Sequence, residues 1–231
     1  MGTGDRVVEV GAGLGSLTVA LADAGADVLA IELDRALLPA LEETVGARTH
    51  VLRADATTLD WHATLGEESW ILCANLPYNV ATPIVLDVLA QAPMVRRLVV
   101  MVQREVAERL AAGPGDVGYG IPSVRVAYRA TARLIRRVPR EVFWPRPAVG
   151  SAIVRLDRLA EPAVSVDEER LRRIVDAGFA QRRKTMRNAL RSLGLAAGEA
   201  DDVLRACGVD PGARAEELGL RQFGAIAGAM P

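Results

Sequence analysis

Histidine, cysteine and lysine are scarce in this sequence, and each scarcity narrows the chemistry on offer. Of 231 residues only two are His (His50 and His62) and two are Cys (Cys73 and Cys207). There is no CxxC pair and no Cys/His spacing, so neither a disulfide framework nor a zinc site is indicated, and no metal is expected. Such cysteine usage fits a reducing interior. No apolar run reaches bilayer-spanning length, and Met1–Arg6 lacks the regions of a signal peptide, so a soluble, cytoplasmic protein without a membrane partner is expected. Lys184 is the only lysine; every other basic residue is Arg.

What is present is charge, balanced in total and unevenly distributed. The sum of 28 basic and 29 acidic residues gives a formal net charge of -1, which taken alone argues against a polyanionic partner. Residues 1–60, however, hold four Arg against ten acids, residues 94–158 hold thirteen Arg against five acids, and residues 170–191 hold eight basic residues against one acid. That partition is the footprint of a polyanion-binding face on a neutral protein.

The length, with half the residues hydrophobic, suits one α/β domain and a small appendage. Apolar runs at 6–10, 27–31, 50–53, 70–74 and 97–102 read as strands, with helical patterns after the first, second, fourth and fifth. Alternating strands and helices predict a parallel sheet covered on both faces. Arg-rich stretches at 123–138 and 150–156 read as the last two strands, joined by the proline-dense VPREVFWPRPAVG. The composition breaks at LAEPAVSVDEER, where Ser165 and Glu168 have capping-box spacing and open a helix running towards Arg191. The predicted division is therefore a catalytic domain over 1–158 and a small all-helical domain over 159–231.

In VVEVGAGLGSL the first strand ends at Val10, and Gly11, Gly13 and Gly15 form the turn before a helix, a place where backbone can approach a ligand. Ser16 stands where a dinucleotide fingerprint has its third glycine, which disfavours NAD and a nicotinamide-dependent oxidoreductase. Glu9 would repel a pyrophosphate but suits a cofactor carrying an ammonium and a sulfonium. Glu32, 21 residues after Gly11, is placed to accept from two ribose hydroxyls, and Asp55 to accept from an adenine amine. This set resembles the S-adenosylmethionine site of Rossmann-like methyltransferases.

The segment CANLPYN follows the fourth strand. An exocyclic amine on adenine is a poor nucleophile because its lone pair is delocalised into the ring. Acceptors from the Asn75 side chain and the Leu76 carbonyl can hold its two N–H bonds and aim the lone pair. Pro77 fixes the loop's direction, and Tyr78 offers a ring on which a flipped base stacks. Phe143 can close the other side of the base; Trp144 is ambiguous. Neither histidine falls in the motif, consistent with a transfer that needs no strong general base.

With VVEVGAGLGSLT, IELDR, ADA, NLPYNVATPIV, MVQREVAERL, VFWPRPAVGSAIVRL and FAQRRKTMRNAL in order, nearly the whole sequence resembles the ribosomal RNA adenine dimethyltransferase family. The first four motifs are shared with macrolide-resistance methyltransferases of large-subunit RNA. FAQRRKTMRNAL resembles the branch that dimethylates two adjacent adenosines near the 3′ end of small-subunit ribosomal RNA. The resemblance implies that Glu9, Gly11, Gly13, Glu32, Asp55 and Asn75 line an S-adenosylmethionine site. It implies that Asn75, Leu76, Tyr78 and Phe143 grip the adenine, that Arg182, Arg183, Lys184 and Arg187 touch phosphate from one helix face, and that a monomer acts on RNA within a pre-30S particle. The family carries a Gln-x-Phe-Leu segment over the cofactor before the first strand; this sequence opens at that strand, so weakened cofactor binding is expected. Gly150 stands where the family has Asp or Asn, which implies a looser loop. Two further readings stay open: a resistance-type enzyme, and a non-catalytic ribosome-assembly factor that keeps the fold and the basic face.

Overall fold

The computed structural model describes residues 2–47, 49–181 and 183–230. The chain divides into two compact units, Met1–Ala107 with Thr131–Arg158, and Glu108–Ala130 with Leu159–Pro231.

The first unit is built on seven strands: β1 (Arg6–Val10), β2 (Asp27–Glu32), β3 (Thr49–Arg53), β4 (Trp70–Asn75), β5 (Val95–Gln103), β6 (Ala130–Val138) and β7 (Ser151–Arg158). Their order is β3-β2-β1-β4-β5-β7-β6. The first five run parallel, as expected, while β7 pairs antiparallel with β5, so the sheet as a whole is mixed. The cause is the connection: β7 follows β6 through the proline-rich loop and not through a crossover helix. Helices α1 (Ser16–Asp23), α2 (Leu38–Thr44), α3 (Trp61–Leu65) and α4 (Ala81–Gln91) occupy the connections between the parallel strands. In α4 the residues Ile84, Val85, Val88 and Leu89 are buried, the one-sided stripe that makes a helix pack instead of fraying. The chain order reverses between β1 and β4, and ligands of open α/β sheets bind at such a switch point, beyond the strands' carboxyl ends.

Arg158, at the end of β7, locks α4 to the sheet. Its Nε donates to the Val95 carbonyl at 2.8 Å, Nη1 to Leu89 at 2.9 Å, and Nη2 to Val88 and Ala92 at 2.9 Å each. Two of these carbonyls also accept a backbone N–H, Val88 from Ala92 and Ala92 from Val95, both at 3.0 Å, so the guanidinium gives each a second bond.

Helix α5 (Arg104–Leu110) runs across the division between units. The second unit contains α6 (Ile121–Arg129), α7 (Glu168–Phe179), α8 (Met186–Ser192), α9 (Ala197–Ala206) and α10 (Leu220–Ala229). Its core gathers Val124, Tyr128, Leu171, Val175, Leu190, Leu204 and Phe223.

Three expectations are corrected here. Residues 121–129 are helical and belong to the second unit, so only the later part of the 123–138 stretch is strand, and the first unit does not run unbroken over 1–158. Val124, Val126 and Tyr128 alternate with Arg125, Ala127 and Arg129 as in a strand. Yet Val124 and Tyr128, one helical turn apart, enter the same core. The turn is started by Pro122, and by Ser123, whose hydroxyl accepts from Gly120 N–H at 3.1 Å and donates to the Arg109 carbonyl at 2.6 Å. The cap of α7 is Asp167, whose carboxylate accepts from the Glu169 and Arg170 N–H groups at 3.0 and 3.1 Å, and not Ser165. Finally, the helix does not reach Arg191 unbroken: it stops at Phe179 and α8 begins at Met186. Thr185 is extended there, and Met186 N–H donates to the Ala213 carbonyl at 2.8 Å. Among the described residues no helix is long and apolar enough to cross a membrane.

Candidate active site

The glycine turn after β1 is left-handed at Gly11 (φ 73°) and Gly13 (φ 59°), a conformation that costs a residue with a Cβ about 1–2 kcal/mol. A Cβ at Gly11 would lie at ordinary contact distance from the neighbouring turn, 3.5 Å from Pro77 Cδ and 3.9 Å from the Asn75 carbonyl oxygen. The turn after β1 thus meets the turn after β4.

Glu32, the last residue of β2, is 8% exposed. One of its oxygens accepts from Gly13 N–H and the other from Asp34 N–H, both at 2.8 Å. These bonds fix the carboxylate and leave each oxygen a further lone pair. Glu32 lines a cavity of about 240 Å³ together with Gly11, Asp55, Pro77, Asn79 and Val80. Asp55 turns back on its own loop: its Oδ1 accepts from Thr57 N–H at 2.8 Å and from the Thr57 hydroxyl at 2.6 Å, and these bonds hold its carboxyl below the usual range.

Glu9 lies beneath this site and is absent from the cavity lining. It is 2% exposed and accepts a hydrogen bond from the Thr18 hydroxyl at 2.6 Å. Burial pushes its carboxyl up to about 7; the Thr18 bond opposes that rise and the Glu32 charge adds to it. Gly13 likewise acts from behind, through the N–H it gives to Glu32. Of the residues expected around the cofactor, Gly11, Glu32 and Asp55 line this first cavity and Asn75 lines the next.

The second cavity, of about 300 Å³, is lined by Asn75, Leu76, Pro77, Tyr78, Phe143, Pro145 and Pro147. The fold therefore brings Phe143 to the NLPY segment, and Pro77 borders both cavities. The segment is anchored from below: the Leu76 side chain is buried, Leu76 N–H donates to the Met101 carbonyl at 3.0 Å, and Val80 N–H to the Pro77 carbonyl at 3.2 Å.

Sequence reasoning missed Ser151. Its hydroxyl, 1% exposed at the start of β7, sits 2.6 Å from the Tyr78 hydroxyl. The only available signal was a small polar residue opening a buried strand. Leu33, Asn79 and Ile84, which line the first cavity, were missed as well. Neither histidine lines either cavity; both are exposed. Among the described residues no His/Cys/Asp/Glu cluster could hold a metal ion.

In the second unit, Arg183 and Lys184 are exposed in the turn between α7 and α8, not on a helix face; Arg182 lies outside the described residues. Arg187 is engaged within the protein, its guanidinium forked onto Asp201 with Nη2 to Oδ2 at 2.8 Å. That bond holds the Asp201 carboxyl below its usual range.

Comparison with known proteins agrees with this layout. A solved dimethyladenosine transferase from Plasmodium falciparum superposes with a TM-score of 0.81 at 22% identity, covering 98% of this chain and 90% of that one. The solved 23S rRNA methyltransferase ErmE gives 0.75 at 26% identity, covering 99% and 92%. In sequence, the Ribosomal RNA small subunit methyltransferase A of Kineococcus radiotolerans is 47% identical over 234 residues, 98% of this chain and 77% of that protein. The family model described as "Ribosomal RNA adenine dimethylase" matches residues 3–228, and the chain belongs to that family.

Proposed function

We propose that the protein transfers methyl groups from S-adenosylmethionine to the N6 amine of adenine in small-subunit ribosomal RNA, dimethylating two adjacent adenosines near its 3′ end. The observation that carries this reading is the pair of neighbouring cavities: one holds two carboxylates, the other the NLPY segment and Phe143, and Pro77 borders both.

The first cavity fits the cofactor. Glu32 keeps lone pairs for ribose hydroxyls, both bonds to Asp55 fall on Oδ1, leaving Oδ2 for an amine, and the missing side chain at Gly11 leaves the wall open next to Pro77. When bound, S-adenosylmethionine supplies an electrophilic methyl group on a sulfonium. The protein's own work is on the acceptor. The Asn75 side-chain oxygen and the Leu76 carbonyl each accept one N–H of the adenine amine, which opposes delocalisation of the lone pair into the ring. The same acceptors stabilise the positive charge that grows on nitrogen. Tyr78 and Phe143 flank the extruded base, and Leu76, buried and hydrogen-bonded to β5, keeps the acceptor geometry rigid. No histidine lines the cavity, so the proton passes to water once the nitrogen is cationic.

Small-subunit specificity is supported by the 47% identity to a relative named for that subunit, against 26% to the 23S enzyme. We place the reaction in the cytoplasm on a pre-30S particle, with the protein acting as a monomer and Arg183 and Lys184 contacting phosphate. The test uses small subunits from cells lacking the modification and labelled S-adenosylmethionine. Expected is label in the small-subunit RNA as dimethyladenosine, with Asn75→Ala reducing kcat by about 100-fold or more, the range for loss of a transition-state hydrogen bond. Label in large-subunit RNA, or undiminished transfer by Asn75→Ala, overturns the assignment.

A further inference from the structure

Trp144 has no task in the site described above, and its setting is unusual. The indole is 95% exposed, whereas Phe143 before it and Pro145 and Pro147 after it line the adenine cavity. The other two tryptophans are placed as tryptophans normally are. Trp61 is 1% exposed with Nε1 donating to Asp87 at 2.8 Å, and Trp70 is partly buried with Nε1 donating to the Leu65 carbonyl at 2.9 Å. A large aromatic ring held in water one residue from a pocket wall marks a contact surface.

The loop that carries it is braced. Pro139, Pro145 and Pro147 restrict its backbone, and Glu141 pairs with Arg140 at 3.4 Å and also with Arg146. A ring presented on a braced loop loses little freedom on contact, so more of the contact energy appears as affinity. The surroundings select the partner. From 131 to 150 the chain holds five Arg and one acid, Glu141, and Arg133 and Arg136 on β6 are exposed. That balance complements a polyanion.

We propose that Trp144 is a stacking platform for the RNA base next to the target adenine. This rests on the methyl-transfer reading, because extruding the target into the Asn75–Phe143 cavity leaves the neighbouring base without its stacking partner. An indole accepts the face of any base, so the platform confers affinity without reading sequence. A protein partner of the particle is the competing occupant; the arginine surplus favours RNA.

Two measurements test it together, both on the full chain. In the first, transfer to unmodified small subunits is compared for wild type, Trp144→Ala and Trp144→Phe. Expected is a loss in kcat/KM for the particle of about 10- to 100-fold in Trp144→Ala, as found when base–aromatic stacking is deleted. Trp144→Phe should stay within about threefold of wild type, since a flat ring remains, and the affinity for S-adenosylmethionine should not change in either. In the second, tryptophan fluorescence is followed while a single-stranded oligoribonucleotide with adjacent adenosines is added. It should quench the exposed indole, and an abasic site beside the target adenosine should remove both the quench and the Trp144-dependent affinity.

Unchanged kcat/KM in Trp144→Ala overturns the proposal, as does equal quenching by the abasic RNA or none by the intact one. A loss confined to particles, with oligoribonucleotide binding unchanged, assigns Trp144 to a protein contact and overturns it too. Asn75→Ala separates the two ideas, since it should slow transfer by about 100-fold or more and keep the quench. A wild type that quenches but never transfers methyl groups sinks the functional reading, while an active enzyme indifferent to Trp144 sinks only the platform.

Discussion

Between the Tyr78 and Ser151 hydroxyls runs a single 2.6 Å hydrogen bond that fixes the tilt of a ring lining the second cavity, because Ser151 is buried in the start of β7 and cannot follow a moving loop. Ser151→Ala and Tyr78→Phe should each lower kcat by about tenfold, the worth of one net hydrogen bond, with cofactor affinity unchanged. The double variant should be no worse than either single one; additive losses would show that the two hydroxyls act separately. Glu9 gives a second prediction. Its carboxyl rises from 4.5 to about 7 on folding, so between those values the folded chain holds a proton that the unfolded chain has lost. Its contribution to stability therefore falls as pH climbs through that window and is level above it, by about 3 kcal/mol at most. Glu9→Gln should remove this slope and be more stable than wild type at pH 8, with the difference vanishing near pH 4.5 in equilibrium urea unfolding. At this scale the sequence discloses the residues that form contiguous motifs, such as Asn75 to Tyr78. It conceals Ser151 and Leu33, whose places come from strands and loops meeting in space, and it does not reveal that Glu9 is buried and absent from the lining of the first cavity.

Arg158 shows how one side chain decides whether an element stays attached. Four backbone carbonyls from α4, its end and β5 converge on it. Arg158→Ala should cost about 2–4 kcal/mol in urea unfolding, since the hydrogen bonds of one charged guanidinium to four carbonyls are lost together. Arg158→Lys should recover less than half, because a single ammonium cannot span the fork. A cost below about 0.5 kcal/mol, as for an ordinary surface site, would refute the clamp. Strands β1 to β4 are legible in the sequence because each is a short run closed by a glycine, acidic or asparagine turn, and β5 by its apolar stretch Leu98–Val102, as a parallel sheet covered on both faces demands. Helix α6 is not legible, because the alternation of Val124, Val126 and Tyr128 with polar or small residues mimics a strand, and only the core of the second unit makes Val124 and Tyr128 neighbours. The break between α7 and α8 is hidden for a related reason: apolar Phe179, Met186 and Leu190 suggest one continuous stripe, while the bond from Met186 to Ala213 that ends it joins residues far apart in the chain. At Gly150 an added Cβ would make only an ordinary 3.7 Å contact with the Val138 carbonyl, so the backbone there does not demand glycine.

For the whole molecule the unequal distribution of charge matters more than its total. The chain passes between its two units after Ala107, Ala130 and Arg158, so a cut at residue 158 would take α6, with Val124 and Tyr128, away from the core it completes. The basic surplus falls in both units, on the 131–158 stretch of the first and around 170–191 of the second, while two of the acids among residues 1–60, Glu32 and Asp55, line the first cavity. With a net charge of only -1, attraction for a polyanion comes from the local excess and not from the total. Basic residues with intramolecular partners contribute less to that excess than their number suggests. Arg187 is committed to Asp201, and Arg172 to Glu169 and Asp176 at 2.6 and 3.3 Å, whereas Arg183 and Lys184 are exposed in their turn. Replacing Arg183 and Lys184 together by Ala should reduce the slope of log affinity against log salt by about 1.4–1.8, the loss of two phosphate contacts, and leave the melting temperature unchanged. Arg187→Ala should do the reverse, lowering the melting temperature by freeing α8 from α9 while changing the salt slope by less than about 0.5. Equal effects of both variants on the slope would mean that Arg187 leaves Asp201 for phosphate when RNA binds.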